Sequence, residues 1–455
     1  MRPRAMPIRR CTSVVVAMLA ILALAGVGCR RQATTVPLRR IVLISIDTLR
    51  SDHLGVYGYP RPTSPRIDGV AKQGVLFEDV TSPSPWTLPA HASLLTGLYP
   101  HRHGLTSHDV TLSESVATLA STLAAHGFAT AGVVNSHNLS TLFGLNRGFR
   151  KFEYVKEEVG QREPSRTITD LATQWLQESG EQQRLFLFVH YYDVHSDYRS
   201  RPEYERQFVR PYQGRADGTT AQMVAGRAGK IVFDQADAQH LIDLYDAGIR
   251  QMDDELGRLL AALGSGDDTL LVVTSDHGEE FLEHGGVLHG RTQFEEVVRV
   301  PLIVRGPGVP SGVRVSTTVS LIDVMPTILA AAGITPPADL DGADLAPTWH
   351  GGGAELGERY LSCEADHNNA EPDVTRAVRH GKDKLHFDRL TGQAPLFDLG
   401  ADPGERTDTA ARRPAIAADL RAHLDRFREV RPNASGSVRL TPEQMERLKS
   451  LGYVR

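Results

Sequence analysis

The chain has 455 residues, more than one hydrophobic core usually serves, and this length predicts a main domain with a smaller appendage. Its hydrophobic content of 41% and charged content of 23% are typical of a soluble globular enzyme. A formal net charge of -5 provides no basic excess for nucleic acid, and we expect no nucleic-acid partner.

The first thirty residues have a different composition from the rest. Basic residues between Arg2 and Arg10 precede an apolar run from Val14 to Val27, and Cys29 follows directly after small residues. This pattern predicts an export leader over residues 1–29 and a location in the periplasm or cell envelope, since the run is too short for a membrane span. Cys29 resembles the lipidated cysteine of bacterial lipoproteins, which would attach the chain to a membrane. A plain signal peptide or an uncleaved anchor helix explains the leader equally well.

Cysteine is scarce outside the leader. Cys11 and Cys29 belong to it, and Cys363 stands alone in the body of the chain. The mature domain is therefore expected to hold no intrachain disulfide, which suits a large core that needs no cross-link.

Several apolar runs have the length of strands and lead into polar residues. The main ones are Arg40–Ile46 before Asp47, Arg184–Val189 before His190 and His195, and Thr269–Thr274 before Asp276 and His277. Continuous apolar runs are typical of strands that are buried on both faces of a parallel sheet. They alternate with helical patterns such as Asp237–Leu263, so we predict an α/β fold over residues 38–345, with a mostly parallel central sheet and helices on both faces.

Between these elements, the stretch Asp197–Lys230 is polar, rich in arginine and glycine, and without periodicity. We interpret it as a long surface loop or lid near the site, which would determine the alcohol part of a substrate. After Gly342 the segments become short and strand-like, and they are followed by an amphipathic helix at Ala415–Phe427. This pattern predicts a small C-terminal α+β subdomain with an antiparallel sheet over 346–430, and a linker with a tail helix over 431–455.

The stretch from Trp86 to Gly97 contains a candidate nucleophile. Pro89 suits the first residue of a helix and Gly97 suits its end, so Thr87 is expected just ahead of a helix N-terminus. Unpaired N–H groups and the helix dipole favour negative charge there, which makes a hydroxyl easier to ionise. His91 follows four residues later and could face the same way. The alternative is that Thr87 only caps the helix.

Carboxylates and an imidazole are predicted to meet at one edge of the sheet. Asp47 and Asp276-His277 follow two strands whose carboxyl ends would open into the same crevice. They predict a divalent-metal site, to which Thr87 could add one more oxygen, and a metal there would make the threonine alkoxide available at neutral pH. The alternative is that each aspartate caps the segment after its strand.

Taken together, these residues resemble the sulfatase-like branch of the alkaline phosphatase superfamily. The motifs that carry the resemblance are ISIDTLRSDHLGVYGY at 44–59, TLPAHASLLTGLYPHRHG at 87–104, LFLFVHYYDVH at 185–195, LYDAGIRQMDDELGRLL at 244–260, TLLVVTSDHGEEFLEHGGVLHG at 269–290, VRVPLIVRGPG at 298–308 and LFDLGADPGE at 396–405. The resemblance covers most of the chain and implies the same α/β fold and a metal-dependent ester hydrolase.

Site residues follow from the resemblance position by position. It implies that Asp47, Asp276 and His277 bind the metal and that Thr87 is the nucleophile. His91 falls where sulfatases carry an arginine.

Further histidines match the family less directly. His195 and His289 fall where the family has residues that contact the substrate anion or the leaving group. His190 and His284 are weaker candidates, and Lys384 is a candidate for a structural lysine.

The chain departs from the sulfatase pattern in three places. Sulfatases carry Cys or Ser at the nucleophile position and convert it to formylglycine, an aldehyde that Thr87 cannot give. Thr48 stands in place of a second aspartate, and His277 in place of the asparagine of calcium-dependent members. A mixed carboxylate and imidazole set favours Mn²⁺ or Zn²⁺, with Ca²⁺ as the alternative.

These departures point toward family members that attack phosphorus with threonine. We therefore expect an exported, metal-dependent hydrolase of sulfate or phosphate esters, with phosphate mono- and diesters or phosphonate esters favoured. The substrate would be a small molecule or the ester of a glycan or lipid headgroup. The alternatives are a transferase of phosphoglycerol or phosphoethanolamine groups, and a non-catalytic envelope binding protein on the same fold.

Overall fold

The structure, a computed structural model, describes residues 38–156, 163–180, 183–367, 369, 371, 373–427, 433 and 436–450. The predicted leader, with Cys29, lies outside these ranges, as does most of the predicted linker. Within the described ranges, no helix combines the length and the apolar composition that crossing a bilayer requires. The domain boundaries predicted at residues 345 and 430 stay predictions.

The strands are short to medium in length and occur along the whole described chain. In chain order they are β1 (Arg40–Ile46), β2 (Val75–Phe77), β3 (Val80–Thr81), β4 (Val110–Thr111), β5 (Ala129–Val134), β6 (Lys151–Tyr154), β7 (Leu185–Tyr191), β8 (Thr269–Thr274), β9 (Glu280–Phe281), β10 (Val287–Leu288), β11 (Leu302–Arg305), β12 (Val313–Val315), β13 (Val319–Ser320), β14 (Tyr360–Cys363), β15 (Thr375–His380), β16 (Asp383–Asp388), β17 (Leu396–Asp398) and β18 (Gly436–Ser437).

Helices connect most of these strands. In chain order they are α1 (Pro65–Lys72), α2 (Thr87–Thr96), α3 (Pro100–His103), α4 (Leu119–Ala125), α5 (Pro164–Glu178), α6 (Pro202–Phe208), α7 (Thr220–Arg227), α8 (Gln235–Leu263), α9 (Glu295–Val298), α10 (Val324–Ala331), α11 (Ala346–Trp349), α12 (Ala354–Gly357), α13 (Pro414–Phe427) and α14 (Pro442–Ser450).

Eight strands form the central sheet, in the order β12-β2-β11-β8-β1-β7-β5-β6. β1 pairs in parallel with both β7 and β8, and β5 pairs in parallel with β6 and β7. β11 runs antiparallel to its neighbours β8 and β2. The predicted α/β fold with a mostly parallel central sheet is therefore confirmed.

Side chains of the central strands alternate between two hydrophobic cores, one on each face of the sheet. From β1, Ile41 and Leu43 enter the core that contains residues of α2, α4 and α10. Val42 and Ile44 enter the opposite core, with residues of α5 and α8. Because both faces are covered, the strands carry the continuous apolar runs that the sequence shows.

The C-terminal part forms the separate antiparallel sheet that the sequence predicts. Its four strands are ordered β14-β15-β16-β17, and α13 packs on it through Leu420 and Leu424. Cys363, at the end of β14, is a buried free thiol.

Two local predictions need correction. The helix expected to begin at Pro89 begins at Thr87, which is its first residue, and Trp86 is its N-cap. The stretch 197–230, interpreted as a loop, contains the helices α6 and α7. These helices are only seven and eight residues long, too short for the periodicity that identifies a helix in a sequence.

Candidate active site

The carboxyl edge of the central sheet brings the predicted site residues together. Ser45 of β1 lies in register with Thr274 of β8 on one side and with His190 of β7 on the other. Asp47 follows the end of β1, and Asp276 lies two residues beyond Thr274. The parallel alignment of three neighbouring strands therefore places their polar ends in one crevice.

Asp47, Asp276 and His277 form a fully buried cluster. One ligand atom from each lies within 4.8 Å of the others. His277 Nδ1 donates to the Gly278 carbonyl at 2.9 Å, so Nε2 is the nitrogen that faces the carboxylates. Nε2 lies 3.2 Å from Asp276 Oδ2 and 3.8 Å from Asp47 Oδ1.

The electrostatics of the cluster favour a bound cation. Asp276 Oδ2 is buried and accepts no hydrogen bond from the described part of the chain. Burial alone would lower the pKa of His277, but the Asp276 and Asp47 carboxylates raise it above its ordinary value. A position that attracts a proton this way suits a metal ion, which competes with protons for the same ligands. Two carboxylates and an imidazole therefore fit a divalent cation.

Thr87 lies beside this cluster, as predicted. Its hydroxyl oxygen is 3.3 Å from His277 Nε2, and the side chain is fully buried. As the first residue of α2, Thr87 stands where the helix N–H groups lack intrahelical partners. The helix ends at Gly97 with a left-handed φ of 68°, as the sequence predicts.

His91 supports Thr87 from the next turn of α2. Its Nδ1 donates to the Thr87 carbonyl at 2.9 Å, and its Nε2 lies 2.9 Å from Ser45 Oγ. Burial lowers the pKa of His91 to about 4, so the ring is neutral at pH 7 and accepts the Ser45 hydroxyl proton at Nε2. His91 Nδ1 is also 3.4 Å from Asp276 Oδ2.

His289, the residue after β10, lies beside the cluster. Its ring lies 4.3 Å from that of His277, and its Nδ1 is 2.9 Å from Glu279 Oε1. The other oxygen of Glu279 accepts the Tyr198 hydroxyl at 2.9 Å. Burial raises the pKa of Glu279 to about 7. The carboxylate therefore fixes the orientation of the His289 ring.

His195 lies behind His289, with ring centres 5.0 Å apart. Its ring stacks on Tyr192 at 4.3 Å, and its Nδ1 donates to the Ser196 carbonyl at 2.6 Å. Burial lowers the pKa of His195 to about 3. All four residues predicted as catalytic, Thr87 and the three histidines, thus lie in one neighbourhood.

The two weaker candidates, His190 and His284, lie in different places. His190 lies at the cluster, with Nε2 3.3 Å from Asp47 Oδ2. His284 lies elsewhere, because its ring pairs with Glu296 and stacks on Phe294 at 3.5 Å.

Lys384 is a structural lysine, as the sequence analysis proposed. It belongs to β16 of the C-terminal sheet and is buried. Its Nζ contacts Glu295 at 2.8 Å and Glu405 at 3.1 Å. The lysine therefore links the C-terminal sheet to α9 and to the segment after β17.

Sequence reasoning did not assign Glu279 or Ser45. Both contact candidate catalytic histidines, Glu279 through His289 and Ser45 through His91. The position of Glu279 two residues after His277, in a strand-end motif, was the available signal. Ser45 lies within the apolar run of β1, where a single polar residue among apolar ones was the signal.

Two family models match this chain. The sulfatase family model matches residues 39–334, and the model of the N-sulphoglucosamine sulphohydrolase C-terminal region matches 283–430. The Delta 4,5-hexuronate-2-O-sulfatase of Bacteroides thetaiotaomicron is 26% identical over 89% of this chain and 92% of its own length. Human arylsulfatase A is 26% identical over 90% of both chains.

Solved structures share the fold. A protein in complex with its substrate D-glucosamine-2-N,6-O-disulfate matches with a TM-score of 0.72 and 21% identity, over 86% of this chain and 97% of that one. The phosphonate monoester hydrolase of Agrobacterium radiobacter matches with a TM-score of 0.71 and 22% identity, over 86% and 95%. The family model covers well over half of the chain, so this protein belongs to the sulfatase family of ester hydrolases, within the alkaline phosphatase superfamily.

Proposed function

We propose that this chain is a metal-dependent hydrolase of phosphate mono- or diesters or phosphonate esters, with Thr87 as its nucleophile. The observation that carries the proposal is the position of the Thr87 hydroxyl, 3.3 Å from His277 Nε2 at the first turn of α2. A hydroxyl there stands where negative charge is stabilised and where an anionic ester group can bind.

The identity of the nucleophile favours phosphorus over sulfur. Formylglycine sulfate can eliminate sulfate because the hydrated aldehyde carries a second hydroxyl. A sulfated Thr87 would lack this exit. A phosphorylated threonine can instead be hydrolysed by attack of water at phosphorus, which restores the hydroxyl.

The relatives support ester hydrolysis of both kinds. The two curated relatives described above are named for sulfate esters, which keeps sulfate esters as the alternative substrate. The Agrobacterium radiobacter structure belongs to a phosphonate monoester hydrolase, so this fold also serves esters of phosphorus. The substrate would be a small molecule or the ester of a glycan or lipid headgroup.

Asp47, Asp276 and His277 would hold the divalent metal, with Thr87 as a further oxygen ligand. Carboxylate and imidazole ligands favour Mn²⁺ or Zn²⁺, with Ca²⁺ as the alternative. When bound, the cation would lower the pKa of the neighbouring hydroxyl and neutralise charge that develops on the transferring group.

The reaction would then proceed by two displacements at phosphorus, the first by Thr87 and the second by water, and different side chains act in each. Thr87 reacts as its alkoxide: Oγ1 forms a bond to phosphorus while the bond to the leaving oxygen breaks, and the second displacement releases the same alkoxide. His91 holds the Thr87 carbonyl and so fixes the start of α2. When Glu279 is protonated, its carboxyl group donates to Nδ1 of His289 and leaves the proton of the neutral ring on Nε2. Nε2 would give this proton to the leaving oxygen while Nδ1 takes the proton of Glu279. Nε2 then takes a proton from the water that displaces Thr87.

We further propose that the protein is exported to the periplasm or cell envelope and anchored through a lipid on Cys29. The basic and apolar leader supports this proposal. Cell fractionation of the wild type and a Cys29→Ala variant, with a lipid label, tests it. We expect label and membrane association in the wild type and neither in the variant.

The enzymatic test measures turnover of bis-p-nitrophenyl phosphate and p-nitrophenyl sulfate by stripped protein after addition of Mn²⁺, Zn²⁺ or Ca²⁺. We expect phosphodiester cleavage that falls by about 10³-fold or more in Thr87→Ala, because the nucleophile is lost, and by less in Thr87→Ser.

Thr96→Ala is the matched control, because Thr96 lies on the same helix and its hydroxyl donates to the Ala92 carbonyl within that helix. We expect it to keep wild-type turnover. Sulfate release that depends on Thr87, without phosphoester cleavage, would contradict the preference for phosphorus.

A further inference from the structure

A cavity of about 480 Å³ opens beside the candidate active site. It lies between the end of α7, the residues that follow it, and the hairpin of β9 and β10. This volume is within the range of small-molecule sites, about 300–1,000 Å³. It would hold one sugar or aryl ring with its substituents.

His289 belongs both to the candidate site and to the lining of the cavity. His289 lines the cavity, and its ring lies 4.3 Å from the ring of His277 at the metal cluster. The proposed proton donor to the leaving oxygen thus forms part of the cavity wall. An ester bound at Thr87 would extend its leaving alcohol into this space.

Part of the cavity lining is apolar. It includes Ile231, Phe233, Leu282 and Val287. Val232, between the first two, is 77% exposed and extends this apolar surface toward solvent. Such a surface suits the face of a ring.

Two arginines supply the positive charge of the lining. Arg227 is the last residue of α7, and Arg291 follows His289 by two positions. Arg291 Nη1 donates to the Arg227 carbonyl at 3.0 Å, which joins the two segments across the cavity. Both residues are only partly exposed, so their charges act in a semi-enclosed space.

Glu280 also lines the cavity, and backbone groups contact its carboxyl group. Its Oε1 accepts the N–H of Gly286 at 2.7 Å and that of His284 at 3.2 Å. The ring of His284 pairs with Glu296.

We infer that the cavity is the leaving-group subsite and that Arg227 and Arg291 select esters whose alcohol is a ring carrying its own acidic group. Such a substrate would place its ring against the apolar part of the lining and its second negative charge on the two guanidinium groups, which bind carboxylates with paired N–H donors. This inference rests on the proposed function, because it assumes that Thr87 attacks the ester and that His289 protonates its leaving oxygen.

An isosteric pair of diesters tests the inference: methyl 4-carboxyphenyl phosphate and methyl 4-carbamoylphenyl phosphate. The leaving alcohols have the same shape and differ in one negative charge. For the metal-loaded wild type, we expect kcat/KM to be roughly 10-fold or more higher for the carboxylate, the size of a charge-assisted hydrogen bond. In Arg227→Gln and in Arg291→Gln, this ratio should fall toward about 1.

Arg206→Gln is the matched control, since Arg206 lies on the neighbouring helix α6 and is absent from the cavity lining. It should keep the wild-type ratio. A ratio near 1 in the wild type, or a ratio that both cavity variants retain, would overturn the inference.

A binding measurement separates this inference from the proposed function. Calorimetry compares 4-hydroxybenzoate with 4-hydroxybenzamide on the same four proteins. Tighter binding of the benzoate that depends on Arg227 and Arg291 supports the subsite even if no phosphoester is cleaved, in which case the proposed function alone fails. Equal binding of both probes to the wild type overturns the subsite whatever the turnover shows.

Discussion

Buried charged side chains cluster in two regions of this protein, and the two regions differ in how far these charges are neutralised by neighbouring side chains. At the junction with the C-terminal sheet, each buried charge meets an opposite one: Lys384 lies 2.8 Å from Glu295 and 3.1 Å from Glu405. At the carboxyl edge of the central sheet, Asp47 and Asp276 face imidazoles: His277 lies between them, His190 lies beside Asp47 and His91 lies beside Asp276. The first arrangement is balanced and structural, whereas the second has an excess of negative charge that calls for a cation.

The largest expected effect comes from removing charge at the sheet edge. In Asp276→Asn, turnover should fall by about 10³-fold or more, because a metal ligand worth several kcal/mol in the transition state is lost. Differential scanning calorimetry checks the same site independently of activity. A chelator should lower the melting temperature of the metal-loaded wild type. The loss corresponds to about 2.7 kcal/mol of unfolding free energy if the metal was present at 100 Kd. The melting temperature of the variant should not change.

Asp253→Asn is the matched control for that experiment. Asp253 is also fully buried, but it accepts the backbone N–H groups of Arg66 and Ile67 at 2.8 and 2.9 Å, far along α8 from the cluster. Its variant should respond to the chelator as the wild type does. If Asp276→Asn also responds fully, the cluster is not the metal site.

The second largest expected effect is a loss of unfolding free energy at the junction with the C-terminal sheet, where the buried charges are paired. Arg379 of β15 makes two hydrogen bonds to Asp79, which lies between β2 and β3. Arg379→Met should lower the free energy of unfolding by about 3–5 kcal/mol, because it leaves a buried carboxylate with less compensation. Urea denaturation measures this loss.

Arg413→Met provides the contrast, since Arg413 pairs with Asp383 while 30% of its side chain is exposed. A partly exposed pair contributes about 0–1 kcal/mol. Equal losses in the two variants would show that burial does not govern these ion pairs. In both variants, the chelator should lower the melting temperature by as much as it does in the wild type.

The smallest expected effect depends on pH. Burial alone would raise the pKa of Glu405, but Lys384 and His386 hold it well below its usual value of 4.5. A lowered carboxyl pKa contributes stability above pH 4.5 that is lost as the pH falls below it. The wild type should therefore lose about 1–2 kcal/mol more than Glu405→Gln between pH 5 and pH 3, measured by urea denaturation. If the free energy of unfolding changed with pH by the same amount in the two proteins, the lowered pKa of Glu405 would be contradicted.

Most of the fold and the metal cluster could be predicted because they depend on local patterns. Strands buried on both faces must be apolar throughout, so β1 and β8 stand out in the sequence. The aspartates that follow them then meet for topological reasons. Thr87 was a candidate nucleophile from its expected place ahead of a helix N-terminus, whereas the role of His289 came from the resemblance to a family.

No local pattern encodes the remaining features. The helix α2 begins two residues before Pro89, which is its third residue. An N–H at that position would also lack an intrahelical partner, so proline does not single out the first residue. Glu279 acquires its role only where the chain folds back to place His289 beside it. The helices α6 and α7 are too short to show a period, and the arginine that matters for the cavity is the last residue of α7.

All ten residues of α2 are buried, including Thr87 at its beginning. A nucleophile on such a helix has almost no freedom to move toward its target. The approach of the two reacting atoms must then come from the substrate and from whatever encloses it. The partly exposed end of α7, with the residues that follow it, forms a wall of the cavity. We therefore expect the opening and closing of that wall, rather than any motion of the threonine, to govern how fast product leaves and the next ester enters.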